Sequence, residues 1–213
     1  MHDTISPVPR LRVAVAPGTS SSQLSALLAC QRAEEPDVNL TFFEVADDVL
    51  VEGLREGHYD VGLSLQGASD PIVKAQSLWT EVMAVAMQPG LPLLDQVTLT
   101  IPALRDTLVY RWSSEACPML DERLTVHMPA DCESVKQVTS FEMMALWVAA
   151  GYGVGISSQS RIENAREWGI TMRPLADGPF EIVTYLLRAP ARPGSVLERF
   201  ERRALQVAKA GAT

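Results

Sequence analysis

The stretch ALWVAAGYGVGISSQSRI, residues 145–162, decides the fold. Gly151, Gly153 and Gly155 alternate with other residues and serines follow, so the stretch looks at first like a loop that cradles a phosphate. A dinucleotide fingerprint needs G-x-G-x-x-G after a strand and before a helix. The sixth position from Gly151 is Ile156 and the sixth from Gly153 is Ser158, so the spacing fails. The residues before the glycines supply the reading. Thr139-Ser140-Phe141-Glu142 fits the S/T-x-x-E capping box. Phe141, Met144, Ala145 and Val148 then recur at i, i+3, i+4 and i+7, the period of an amphipathic helix. Gly151 falls at the C′ position, where the left-handed conformation costs glycine least. Residues 154–156 follow as a buried strand. The glycines therefore join a helix to a strand, the reverse of a phosphate loop.

The same alternation extends outward. Residues 11–16 (LRVAVA) read as a buried strand broken by Pro17-Gly18. Thr19 to Ser22 offer four hydroxyls at a helix start, and Leu24, Leu27 and Leu28 follow at helical spacing over 22–33. Residues 39–45 (NLTFFEV) form the next strand. Asp47 is expected to cap a short helix that carries Leu50 and Leu54 and stops at Gly57. Residues 61–65 (VGLSL) complete a β-α-β-α-β order, which implies a parallel sheet. Farther on, residues 77–86 and 107–112 read as strands and 124–127 as a shorter one. A helix is expected over 158–168, strands over 170–175 and 181–188, and a last helix opened by the capping box Ser195-Val196-Leu197-Glu198.

Composition narrows the function classes. The 213 residues are 47% hydrophobic and 21% charged, ordinary globular values that fit one large domain or two small ones. No apolar run reaches the length of a membrane span, and the N-terminus has no apolar signal core. A cytoplasmic protein with reduced Cys30, Cys117 and Cys132 is the expectation, with a redox pair between Cys117 and Cys132 as the alternative. Catalysis finds no motif: there is no G-x-S-x-G, and His2, His58 and His127 make no metal spacing. The expectation is no enzyme, no cofactor and no metal.

Three segments resemble, in order, the effector-binding domain of LysR-type transcriptional regulators. They are LRVAVAPGTSSSQLSALLACQRAEEPDVNLTFFE, then LVEGLREGHYDVGLSL through Leu54, Gly57, Asp60 and Leu63, then ALWVAAGYGVGISSQSRI; MRPLADG adds the family's x-R-P-L strand. The resemblance implies an α/β chain with a type 2 periplasmic-binding-protein-like fold, two α/β subdomains joined by two crossover strands. Residues 1–10 are then a linker remnant, 11–84 with 182–210 subdomain I, and 85–181 subdomain II. The family's winged helix-turn-helix is absent from the segment. GISSQS stands where the family more often has a PxS pattern, which alters the loop beside the ligand. The implied function is sensing of a small effector in the cleft between subdomains; a solute-binding protein of a transport system, or an enzyme on the same fold, is the alternative.

The candidate ligand residues are Thr19, Ser20, Ser21, Ser22, Gln66, Arg111, Ser113 and Ser114. Free N–H groups and hydroxyls at a helix start suit an anion such as a carboxylate, though one of them serves equally as a plain N-cap. Ser113 and Ser114 follow the strand TLVYRW and are either ligand contacts or a turn. Arg111 is either an anion clamp or a surface charge. Trp112 and Phe141 are pocket walls or core. The implied partners are the small effector, a second copy of the domain in an antiparallel pair, a tetramer in the full-length regulator, and DNA through a domain outside this chain. The pair is expected to use residues 22–33 and 39–45 against 158–168 of the second copy, with Ile162, Ala165 and Trp168 in the contact.

The net charge is −8 and no basic run appears. DNA affinity rests on neutralising phosphates with Lys and Arg. The purified chain is therefore expected to leave duplex DNA unshifted in gel retardation at physiological salt; a salt-sensitive shift would overturn the assignment of DNA contacts to another domain.

Overall fold

The computed structural model describes residues 8–19, 21–68, 70–129, 132–176, 178, 180–190 and 195–211. The chain divides into two compact units. Unit one holds Met1–Thr19, Gln23–Trp79 and Thr184–Thr213; unit two holds Ser20–Ser22 and Thr80–Val183. Apart from the short Ser20–Ser22 segment, the chain passes from one to the other inside two strands, β4 (Lys74–Met87) and β9 (Glu181–Arg188).

Unit one is built on β1 (Arg10–Val15), β2 (Asn39–Glu44), β3 (Val61–Ser64) and β9, with helices α1 (Ser21–Glu34), α2 (Asp47–Glu56) and α6 (Val196–Ala210). β1 pairs in parallel with both β2 and β3, and β3 pairs antiparallel with β9. Side chains alternate across a strand, and both faces are buried. Val13 and Leu186 join Leu27 of α1 and Phe200 of α6 on one side, while Ala14 and Leu187 join Leu50 and Leu54 of α2 on the other. This is why β1 reads as a continuous apolar run and not as an alternating one. Gly57 ends α2 at φ 75°. The expected Asp47 cap is corrected: Ala46 is the N-cap and makes no side-chain cap bond. Asp47 instead accepts a hydrogen bond from Ser64 Oγ.

An ion network ties α6 to the end of α1. Arg203, 5% exposed, donates through Nε to Glu34 at 2.6 Å and through Nη1 to Gln31 at 2.7 Å and Glu35 at 2.5 Å. Arg199 donates to the other Glu35 oxygen at 2.5 Å. Burial alone would raise the Glu35 carboxyl, but the donors Arg199, Arg203 and Gln31 outweigh it and hold the group below its ordinary value.

Unit two is built on the later part of β4 with β5 (Val109–Trp112), β6 (Val135–Val138), β7 (Val154–Ser158) and β8 (Thr171–Pro174). β5 runs parallel to β6 and β7; β7 and β8 run antiparallel to β4. Helices α3 (Pro118–Thr125), α4 (Phe141–Ala149) and α5 (Gln159–Asn164) connect them, and a short 3-10 turn spans Arg166–Trp168. The helix-to-strand glycine turn is present. Gly151 adopts φ 81°, and a Cβ on Gly153 would stand 2.3 Å from the Leu108 carbonyl oxygen. A Cβ on Gly155 would meet Met144 and Val148 of α4, so glycine there permits close packing of helix on strand.

Several local readings are corrected. Residues 124–127 do not form a strand: Pro118 presets a helix start, and Leu120 and Leu124, four apart, bury one helix face. The strand is β6 instead, masked in the sequence by exposed Lys136 and Gln137. Ser140, not Thr139, caps α4 and accepts from Met143 N at 3.2 Å. The helix expected over 158–168 breaks at Ala165 into α5 and the 3-10 turn. Ile162 is 0% and Ala165 3% exposed, so neither faces a second copy. Ser195 caps α6 as expected, accepting from Glu198 N at 3.3 Å.

Because Glu35 is held below the ordinary value of 4.5, its contribution to stability is complete above that pH and is lost as pH falls through the depressed folded value. Arg203→Ala leaves the buried network without its central cation and should cost on the order of 3 kcal/mol at pH 7. Urea titrations at pH 7 and pH 3 check this: the loss should shrink in acid, and an equal loss at both would refute the network's role.

Candidate functional site

Parallel strands deliver their carboxyl ends, and the starts of the helices that follow, to one edge of a sheet. In unit two that edge carries Trp112 at the end of β5 with Ser113 after it, Ser140 and Phe141 at the head of α4, and Ser157 and Ser158 closing β7. β4 runs the other way and pairs Met83 with Ser158, which brings Glu81 to the same edge. Glu81 Oε2 accepts from the backbone N–H of Ser160 at 3.1 Å.

Arg161 follows on α5, three residues after Ser158, and helical side chains lean back toward the N-terminus. Its guanidinium carbon lies 5.3 Å from the Trp112 ring centroid and 5.4 Å from that of Phe141, a cation–π arrangement with both rings. The two aromatics are 3% and 4% exposed.

What distinguishes this edge is its unmet hydrogen bonding. Trp112 Nε1, Arg161 Nη1, Ser157 Oγ, Ser158 Oγ and Glu81 Oε1 are all buried with no hydrogen-bond partner. Buried polar atoms are nearly always paired, and an unpaired one costs about 1–3 kcal/mol. Five such atoms lie on or beside two neighbouring strand ends, with Ser157 and Ser158 turned to opposite faces of β7 by strand alternation.

The eight residues expected from the sequence divide among several fates. Ser113 sits at this edge, 8% exposed, with its hydroxyl accepting from Ala116 N at 3.3 Å. Ser114 is exposed beside it. Arg111 is neither anion clamp nor surface charge. It is 0% exposed and donates to the Met128 and Asp121 carbonyls, the Asp121 carboxylate and the Thr125 hydroxyl. The guanidinium thus fastens α3 and the turn after it to β5, and strand alternation turns it away from the ligand edge.

The others belong to the first strand-helix turn or to unit one. Thr19 is buried and donates to the Ala16 carbonyl at 2.8 Å, closing the turn after β1. Ser20 and the Ser21 side chain lie outside the described residues. Ser22 is exposed on α1. Gln66 is exposed after β3, and its N–H donates to Ser64 Oγ at 2.8 Å. Ser64 in turn donates to Asp47, whose carboxyl is pushed up by burial against the opposing effect of that bond. A cavity of about 430 Å³ opens here between α2 and the end of β3, lined by Asp47, Val51, Arg55, Ser64 and Gln66.

The sequence reading omitted Arg161, Ser157 and Ser158. Their signal was the departure GISSQS followed at once by an arginine. Among the described residues no group of three His, Cys, Asp or Glu could hold a metal ion, and no helix is long and apolar enough to cross a membrane.

Comparison with known proteins gives these findings. The family model for the LysR substrate binding domain matches residues 6–209. No curated protein matches the chain in sequence. Among solved structures, full-length BenM carrying E226K is similar with a TM-score of 0.86 at 18% identity, over 98% of this chain and 71% of that one. The BenM effector binding domain with its effector benzoate is similar with a TM-score of 0.80 at 19% identity, over 98% and 96%. A reduced form of OxyR from N. meningitidis is similar with a TM-score of 0.79 at 16% identity, over 93% and 95%. Identities this low establish the fold, a type 2 periplasmic-binding-protein-like α/β arrangement, and the family model establishes descent: the chain belongs to the LysR substrate binding domain family.

Proposed function

We propose that this chain is the ligand-sensing regulatory domain of a bacterial, cytoplasmic LysR-type transcriptional regulator. A small effector binds it and the bound state alters transcription through a DNA-binding domain outside the chain. The observation that carries the proposal is the set of buried, unpartnered polar atoms at the carboxyl ends of β5 and β7. Orphaned donors and acceptors around two aromatic walls are what a specific small-molecule site requires in the unliganded state. The domain of a regulator is not an enzyme class, and the reading assigns the site to binding without turnover. A ligand regulates only through differential affinity for two states, so effector contacts at this edge must differ between them.

The test is capture. The chain is incubated with a metabolite extract, desalted, and examined by native mass spectrometry. A discrete small molecule is expected to remain bound and to be lost from Ser158→Val and Trp112→Ala. No retained compound, or equal retention by both variants, would refute the sensing site.

Pairing with a second copy belongs to the same proposal. α1 and the edge strand β2 remain in it, with Phe42 exposed on β2. Of the expected contacts over 158–168, Ile162 and Ala165 are buried and leave it, while the exposed Trp168 remains. The outer face of α4 takes the place of those two: Met143, Leu146, Trp147 and, just beyond the helix, Tyr152 are exposed together, the kind of apolar patch that marks an interface. Light scattering at micromolar concentration should give about twice 23.2 kDa, falling toward 23.2 kDa for Leu146→Glu. A monomeric mass for the unaltered chain would exclude the pair.

A further inference from the structure

Arg161, half-buried, differs from the two buried arginines of this protein. Arg203 is held by Glu34, Glu35 and Gln31, and Arg111 by Asp121, Thr125 and backbone carbonyls. Arg161 stands over two aromatic rings instead, and its Nη1 is buried with no acceptor. Rings hold a guanidinium through its face and leave its in-plane N–H donors unused. The neighbouring orphans have the same character. Trp112 Nε1 can only donate, and the Ser158 hydroxyl, 1% exposed, has a proton to give. These three donors outnumber the one orphaned carboxylate oxygen beside them, Glu81 Oε1, and the partner that would satisfy the excess is an oxygen-rich anion.

The charge of that anion follows from Glu81. Its carboxylate sits at the same edge on the Ser160 N–H. A dianionic phosphate would meet one guanidinium and one opposing carboxylate, a poor balance for two negative charges. A carboxylate needs one cation and a few donors, and a guanidinium with hydroxyl and indole N–H donors supplies them.

We propose that Arg161, Ser158 and Trp112 form a carboxylate subsite, so that the effector is a small monoanionic carboxylic acid. The proposal rests on the sensing site described above and specifies its ligand chemistry. Arg161 carries the charge recognition, Ser158 Oγ and Trp112 Nε1 complete the acceptor's coordination, and Phe141 fixes the guanidinium plane.

The experiment follows tryptophan fluorescence of the whole chain. It is titrated at millimolar concentration with acetate, butyrate, 2-hydroxybutyrate and benzoate, with the matched amide of each, and with inorganic phosphate. Saturable quenching by at least one carboxylate is expected, with its amide inert and phosphate weaker. Arg161→Gln should weaken that carboxylate about tenfold or more, and Arg161→Lys should restore part of the loss. Arg166→Gln, at an exposed arginine in the 3-10 turn that follows α5, should change nothing. Far-ultraviolet dichroism confirms folding of each variant, and Ser158→Val provides a second, uncharged lesion in the same subsite. Equal binding of acid and amide, preference for phosphate, an unaffected Arg161→Gln, or no binding by any carboxylate of the panel would overturn the subsite. A neutral metabolite captured by the chain in a Ser158-dependent way would overturn it too, while leaving the sensing reading intact; capture of nothing would strike the sensing reading itself.

Discussion

A strand buried on both faces can present chemistry only at its ends. In β1 the side chains of Val13 and Ala14 enter opposite cores, and in β9 Leu186 and Leu187 do the same. β5 and β7 are buried along their whole length. Every polar group these strands supply must therefore be paired within the fold or gathered where the strand stops. The candidate site is the second outcome, and its position follows from the burial of everything behind it.

Three arginines show how context sets the work of one side-chain type. Arg203 meets two carboxylates and knits helix to helix. Arg111 lies within β5 and satisfies carbonyls and a carboxylate from α3, so it organises a turn. Arg161 meets only aromatic rings and keeps a donor in reserve. Burial of a charge is tolerable when the charge is paired. The first two obey that rule inside the fold, and the half-buried third is held by ring faces instead.

The element order was largely legible because periodicity and glycine punctuation agree. Leu50, Leu54 and Gly57 mark α2, and Met144, Val148 and Gly151 mark α4 with its stop. β6 was not legible, since a four-residue edge strand with Lys136 and Gln137 exposed carries almost no apolar signal. The site was less legible than the fold. Ser113 and Trp112 could be placed after a strand by counting, but Arg111 and Arg161 are indistinguishable as letters. Which one faces a ligand depends on strand alternation for the first and on the lean of a helical side chain for the second. Thr19 illustrates the complementary limit: a hydroxyl at a helix start reads as a ligand group, while its proton closes the turn onto Ala16.

The interleaving of the two units along the chain fixes an order of assembly on the ribosome. All of unit two's strands lie in the single run 80–183, so it has its complete core as soon as that run has emerged. Unit one is interrupted. β1, β2 and β3 are made early, yet Leu186 and Phe200, which pack on Leu11, Val13 and Leu63, arrive only after the whole of the other unit. Domains commonly fold from the N-terminus onward during synthesis; here β1–β3 must wait for β9 and α6. Its early sheet stays without a lid while residues 80–183 are made, and the short strand β3 lacks its β9 neighbour for the same interval. A nascent chain stalled before residue 184 is thus the form most exposed to misassociation, and a holdase acting on β1–β3 would have the length of one whole unit in which to act.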